Sequence, residues 1–253
     1  MLGGGLVLLT VAAVALLGWA GGFIAQRIPF SYEQDMAAGL SGQLESGDPQ
    51  VEAWLQRLAD SLAADMGLPE GMSVTVHFVD ADTVNALATL GGHIVIYRGL
   101  LEKVADENAL AMVVAHEVAH VKHRDPVVAL GRGVLVGTAL AVVSGASGND
   151  AAGRLLGETG LLTGLSFSRE QERRADRAAL AALARRYGHV GGATAIFQYF
   201  RRQEQDDGFG MPELFRTHPA SGGRIGELRA LAREQGWPEQ GARTPLPAFV
   251  QSE

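Results

Sequence analysis

Apolar residues dominate the start of the chain. LGGGLVLLTVAAVALLGWAGGFIA runs from Leu2 to Ala25 without a charge. Coiled as a helix, such a run reaches about 36 Å, enough to cross a bilayer core with some tilt. It lacks the basic front and small-residue cleavage site of a signal peptide, so it predicts an uncleaved membrane anchor over 1–26. Gly18 and Gly22 have the G-x-x-x-G spacing of helix dimerisation. In QRIPFSYEQDM, Pro29 breaks the helix and Phe30 and Tyr32 suit the interface, so 27–47 reads as a juxtamembrane linker.

Beyond the linker the pattern changes to that of a folded domain, 48–236. Val51, Leu55, Leu58, Leu62 and Met66 form one helical stripe, with Asp48 as N-cap and Pro49 at the first helical position. SVTVHFVD alternates as a strand with Val74, Val76 and Phe78 on one face. A short segment, the Gly91–Gly92 turn and the strand His93–Tyr97 read as a hairpin or a bent sheet edge. Asp106 opens a long helix and Pro126 ends it. A second apolar run, 127–147, is interrupted by Arg132 and suits a core or membrane-surface helical hairpin better than a second span. Three further helices follow: one closed by Gly188, one in GGATAIFQYFRRQEQ and one in ASGGRIGELRALAREQG. DDGFGMPELFRTHP reads as a loop, and the proline-bearing tail 237–253 as extended. The whole predicts an α+β, mostly helical protein with a small sheet.

Composition removes several classes of function. The formal net charge is -7 with no basic stripe, so nucleic acid is not an expected partner. There is no cysteine, which excludes disulfides, thiolate metal sites and cysteine nucleophiles. Any metal must be held by His, Asp or Glu.

Chemistry concentrates in AHEVAHVKH, residues 115–123. His116 and His120 are one helical turn apart and share a face, so both imidazoles can converge on one zinc ion. Glu117, one residue on from His116, reaches the same point from the side, where it can act as general base on water. The flanks are apolar, so the helix is buried and its histidines need partners. His123 sits at a polar helix end and is not counted as a ligand. A catalytic zinc site needs a third protein ligand, and no extended H-E-x-x-H-x-x-G-x-x-H pattern supplies it. In SREQERRADRAAL, Glu172 and Asp176 form an i, i+4 acidic pair, one carboxylate for the metal and one for a ligand histidine's far N–H. Spacing alone leaves Glu170 as good a candidate as Glu172.

HEVAH, then FSREQERRAD about fifty residues later, then THPASGGRI, resemble the zinc metallopeptidase family of HtpX and the CAAX prenyl endopeptidases. The likeness spans about residues 48–236 and is closer to smaller, single-anchor bacterial members. It implies a zincin-like fold, one zinc ion per chain, Glu172 as the third ligand and Asp176 as the supporting carboxylate. It gives His218 a role in the cleft, polarising the scissile carbonyl or sitting on the zinc as a reversible fourth ligand. Arg224 could assist it. NALATLGGHIVIYRGLL resembles the family's N-A-x-x-x-x-G-G strand motif, with Leu90 where many members have proline. Zinc endopeptidases of this design bind an extended peptide along a sheet edge, which points to Gly91, Gly92, His93, Ile94 and Val95 as substrate contacts. The resemblance further implies protein substrates, unfolded or from the membrane or envelope. It also implies a bacterial inner membrane met through residues 2–25, with the catalytic domain on the periplasmic face. A chaperone-like assembly factor with latent protease activity is the rival expectation.

Overall fold

The computed structural model describes residues 2–38, 47–144, 167–207, 218 and 223–251. Helix α1 (Leu2–Ala25) is followed by a break at Pro29 and a short helix α2 (Phe30–Ala37). Among the described residues no helix is long and apolar enough to cross a membrane, so the span expected at the N-terminus is not shown.

Helix α3 (Pro49–Met66) has the expected start: the Asp48 side chain accepts from the Gln50 N–H at 2.7 Å, a cap worth about 1 kcal/mol. Its predicted stripe is buried on the domain core. Strands β1 (Thr75–Val79), β2 (Ala86–Ala88) and β3 (His93–Tyr97) make one sheet in the order β1-β3-β2. β1 pairs in parallel with β3 from Thr75↔His93 to Val79↔Tyr97, and β2 pairs antiparallel with β3. α4 (Arg98–Leu101) leads to α5 (Glu107–Lys122), whose residues Asn108 to Val121 are all buried. α7 (Arg169–Tyr187) packs along α5 and starts with a capping box between Ser168 and Gln171. α8 (Ala195–Asp207), α9 (Arg224–Glu234) and α10 (Ala248–Gln251) complete the described elements once α6 (Asp125–Ser144) is counted between α5 and α7.

Four expectations are corrected. First, β3 is the central strand, so both its edges are occupied and no peptide can be added at His93–Val95. Second, the Gly91–Gly92 turn, with φ of 70° and 83°, serves the fold: a Cβ on Gly92 would lie 2.0 Å from the Ser73 carbonyl oxygen, and one on Gly91 would press on Ala37 and Gln34 of α2. Third, the residues expected as a linker therefore include a helix docked on that turn. Fourth, α5 ends at Lys122, with His123 as its C-cap; Pro126 lies in the first turn of α6, where its missing N–H costs nothing. The tail, read as extended, runs without helix or strand up to Pro247 and is tied to the domain. The Thr244 carbonyl accepts from the Glu107 N–H at 2.9 Å, the Thr244 N–H donates to Asn108 Oδ1 at 2.9 Å, and Leu246 is buried.

The small residues of α1 also acquire a local use. α1 and α6 pack together, and a Cβ on Gly21 would lie 2.4 Å from the Gly131 carbonyl oxygen. Gly18 and Gly22 meet Arg132 and Val128 of the same chain, so the G-x-x-x-G spacing is used in an intrachain helix pair. The apolar run is, over 127–144, part of the single helix α6 packed on α1, and no hairpin within it is described; 145–147 lie outside the described residues, as do 208–217 and Pro219 of the loop read over 206–219, whose first two residues belong to α8.

Candidate metal centre

α5 places His116 and His120 on one face, and α7 brings Glu172 against them. The Nε2 atoms of the two histidines are 3.0 Å apart. Glu172 Oε2 is 3.3 Å from His116 Nε2, and Glu172 Oε1 is 3.4 Å from His120 Nε2. His218 completes the group, its Nδ1 lying 3.3 Å from His116 Nε2 and 3.0 Å from Glu172 Oε1. All four residues are buried, and their ligand atoms lie within 4.8 Å of one another. A tetrahedral zinc ion with ligands at 2.0–2.1 Å spaces those ligands about 3.3 Å apart. The observed edges match that spacing, so the donor set fits zinc. Glu170 is exposed on the opposite side of the helix, which removes the alternative left open by the sequence.

Carboxylates behind the histidines set their orientation. His116 Nδ1 donates to Asp176 Oδ1 at 3.0 Å. His120 Nδ1 donates to Asp125 Oδ2 at 2.8 Å. Asp125 is wholly buried, and its other oxygen accepts from Gln171 Nε2 at 2.8 Å and Arg174 Nη2 at 2.7 Å. Nothing in the sequence had singled out Asp125; its signal is only a carboxylate five residues beyond a ligand histidine. Phe167, also unforeseen, stacks on the His120 ring with centroids 4.0 Å apart. Arg224 grips Asp176 with two bonds of 2.7 Å, and its Nη1 lies 3.0 Å from Glu172 Oε2. It therefore neutralises the acid pair that serves the two sides of the site.

Glu117 is wholly buried beside the cluster and outside it. Its Oε2 accepts from the Ala88 N–H of β2 at 2.8 Å. Its Oε1 has no hydrogen-bond partner among the described residues and faces His218 Nε2 at 3.5 Å. An unsatisfied buried carboxylate oxygen is costly. Here it lies at the edge of the donor cluster, facing the His218 ring. Burial lifts the Glu117 carboxyl above its ordinary value, which suits a base near neutral pH. Burial pushes His218 down. Burial and Arg224 also act to lower His116, but Asp176 and Glu172 outweigh them and hold it at about 9. Burial would raise Glu172, yet bonds from His116, His120 and His218 bring it well below the usual carboxylate range.

The expected substrate contacts Gly91, Gly92, His93, Ile94 and Val95 do not join this cluster. The strand that touches it is β2, through Ala88.

Residues 49–232 match Peptidase family M48. The chain is 28% identical over 204 residues to the Beta-barrel assembly-enhancing protease of Yersinia pestis, covering 74% of this chain and 40% of that protein. It is 30% identical over 207 residues to the mitochondrial Metalloendopeptidase OMA1 of Danio rerio, covering 76% and 42%. A Protease HtpX homolog of Burkholderia lata is 28% identical over 222 residues, covering 74% and 76%. This chain thus spans about two fifths of the length of the first two relatives. With the H-E-x-x-H helix, the distal glutamate and the family match all lying within one folded unit, the chain belongs to peptidase family M48, a family of zinc metallopeptidases.

Proposed function

We propose that this chain is a membrane-anchored zinc endopeptidase, with His116, His120 and Glu172 as metal ligands and Glu117 as general base. The observation that carries the reading is the free, buried Oε1 of Glu117 set beside a donor cluster of zinc spacing. Bound zinc supplies a Lewis acid that polarises water and a peptide carbonyl. The chain's own residues do the rest. The Ala88 N–H fixes one Glu117 oxygen and leaves the other to take a proton from the attacking water and deliver it to the leaving amine. Asp176 and Asp125 keep the His116 and His120 rings turned with Nε2 toward the metal.

His218 occupies one corner of the four-residue donor cluster and faces Glu117 Oε1. That position supports its reading as a reversible fourth ligand: with His218 in place the site is closed, and its withdrawal opens it. Arg224 holds the charge of Asp176 and Glu172 in balance.

The anchor over 2–25 is supported by the charge-free sequence of α1 and by the apolar side chains it exposes, Leu16 and Trp19 at 64% and Ile24 at 59%. Residues 48–236 form the peptidase unit, strapped by the tail. The substrates are unfolded or membrane and envelope proteins on the periplasmic face of a bacterial inner membrane. A relative named for enhancing β-barrel assembly supports that class. Casein hydrolysis by the full chain should stop on chelation and return with zinc; hydrolysis that survives full removal of metal would sink the reading.

A further inference from the structure

We propose that Glu33 and Arg124 are positioning residues that tie the seating of the N-terminal helices to the metal centre. The inference rests on His120 being a metal ligand. Arg124 is the junction between α5 and α6, and its φ is 58°, the left-handed region that non-glycine residues rarely adopt. Such a conformation persists only where its surroundings over-determine it. The surroundings here come from the N-terminal segment. Arg124 Nε donates to Glu33 Oε1 at 2.6 Å, and Nη2 meets the same oxygen. Nη1 donates to the carbonyls of Ile28 at 2.5 Å and Gln26 at 3.1 Å, where the chain leaves α1. Glu33 is only 2% exposed, so without Arg124 it would be a buried, unpaired charge.

The residue that follows this forced reversal is Asp125, which orients His120. The direction of the Asp125 side chain is set by the backbone turn at Arg124, and that turn is held by Glu33. The same helix has a second grip. α2 packs so closely over Gly91, at the turn that closes β2 onto β3, that a Cβ there would lie 2.9 Å from the Ala37 Cβ; this turn is three residues beyond Ala88, whose N–H fixes Glu117. One helix thus braces the supports of both a ligand histidine and the base. Moving α2 off the domain releases the reversal at Arg124 and the hairpin at Gly91 together.

The test uses the full chain and two readouts: zinc affinity by chelator competition, and kcat and KM for casein. Arg124→Gly removes the side chain while tolerating the backbone angle. It should weaken zinc binding about tenfold, the lower end of the effect of losing a partner behind a ligand. It should also lower kcat with little change in KM. Glu33→Gln should move both readouts in the same direction, and Arg124→Lys should restore part of the loss. Parent-like zinc affinity, within about twofold, in both Arg124→Gly and Glu33→Gln would overturn the proposal, even if their melting temperatures fall. If Arg124→Gly does not fold, Glu33→Gln decides alone by the same criterion. Zinc affinity needs no substrate, so a parent chain inert toward casein would count against the peptidase reading and leave this test intact.

Discussion

The backbone N–H of Ala88 donates to Glu117 Oε2 and so divides the work of one carboxylate between its two oxygens. Oε2 is held by the backbone, and Oε1 has no hydrogen-bond partner among the described residues, as the proposed base requires. Glu117→Gln keeps the size and can keep the bond from Ala88, but it cannot accept a proton. Zinc content by metal analysis should remain near one per chain, while casein hydrolysis falls by about 10²–10⁴-fold. Hydrolysis within tenfold of the parent would show that another group is the base.

Glu172 and Glu170 are two residues apart on one helix, but only Glu172 reaches the histidines. Glu172→Gln should lower zinc stoichiometry well below one. Glu170→Gln, on an exposed face, should leave both zinc and activity unchanged. Equal zinc loss in the two variants would contradict the assignment.

Zinc binding should release a proton. Asp176 and Glu172 hold His116 protonated up to about pH 9, and a protonated imidazole cannot bind metal. Below that pH each zinc bound must expel this proton, so affinity should fall about tenfold for each pH unit lowered. Calorimetry at pH 7 in buffers of different ionisation enthalpy should report at least one proton released per zinc. No release would mean that His116 is already neutral.

His218→Ala should open the site. With the ring gone, the corner beside Glu172 is available, and casein hydrolysis at saturating zinc should rise several-fold while zinc affinity drops. A large fall in kcat with unchanged zinc affinity would instead make His218 a polarising group in the reaction.

Gly131→Ala should loosen the pairing of α1 and α6, since a Cβ there would lie 2.7 Å from the Gly21 carbonyl oxygen and from the Ala25 Cβ. Overpacking of this kind costs about 1–3 kcal/mol. The melting temperature should fall, and the same substitution at Gly226, where a Cβ meets nothing within 4 Å, should not lower it.

How much of this was legible in the sequence depended on the range of the interaction. The helices α3, α5 and α7 were legible because caps and periodicity are local: Asp48, Asp106 and Gly188 each act within a few residues of their own element. The H-E-x-x-H pair was legible for the same reason. Glu172 could not be separated from Glu170 by spacing, because only packing against α5 decides which face of α7 is inward; the family likeness decided it first. Asp125 was missed because it depends on a left-handed reversal at Arg124, a residue type with no preference for that angle. β3 was read as an edge because parallel pairing with β1 skips over β2, and no local pattern announces such a crossover. The tail could be read only as extended because its prolines mark that backbone; its attachment depends on Leu246 and Thr244 finding a distant helix end, which no local pattern announces.

The bond from Glu107 to Thr244 has a consequence for how the protein is made. The helix bearing His116, Glu117 and His120 leaves the ribosome well before Glu172, and Arg224 and Thr244 follow later still. At about 5–20 residues per second, several seconds separate the first two ligands from the carbonyl that finishes their helix. A nascent chain therefore carries the histidines and the base without the third ligand, the charge that balances it, or the last hydrogen bond. Translation order alone keeps these groups from assembling until Thr244 has been made.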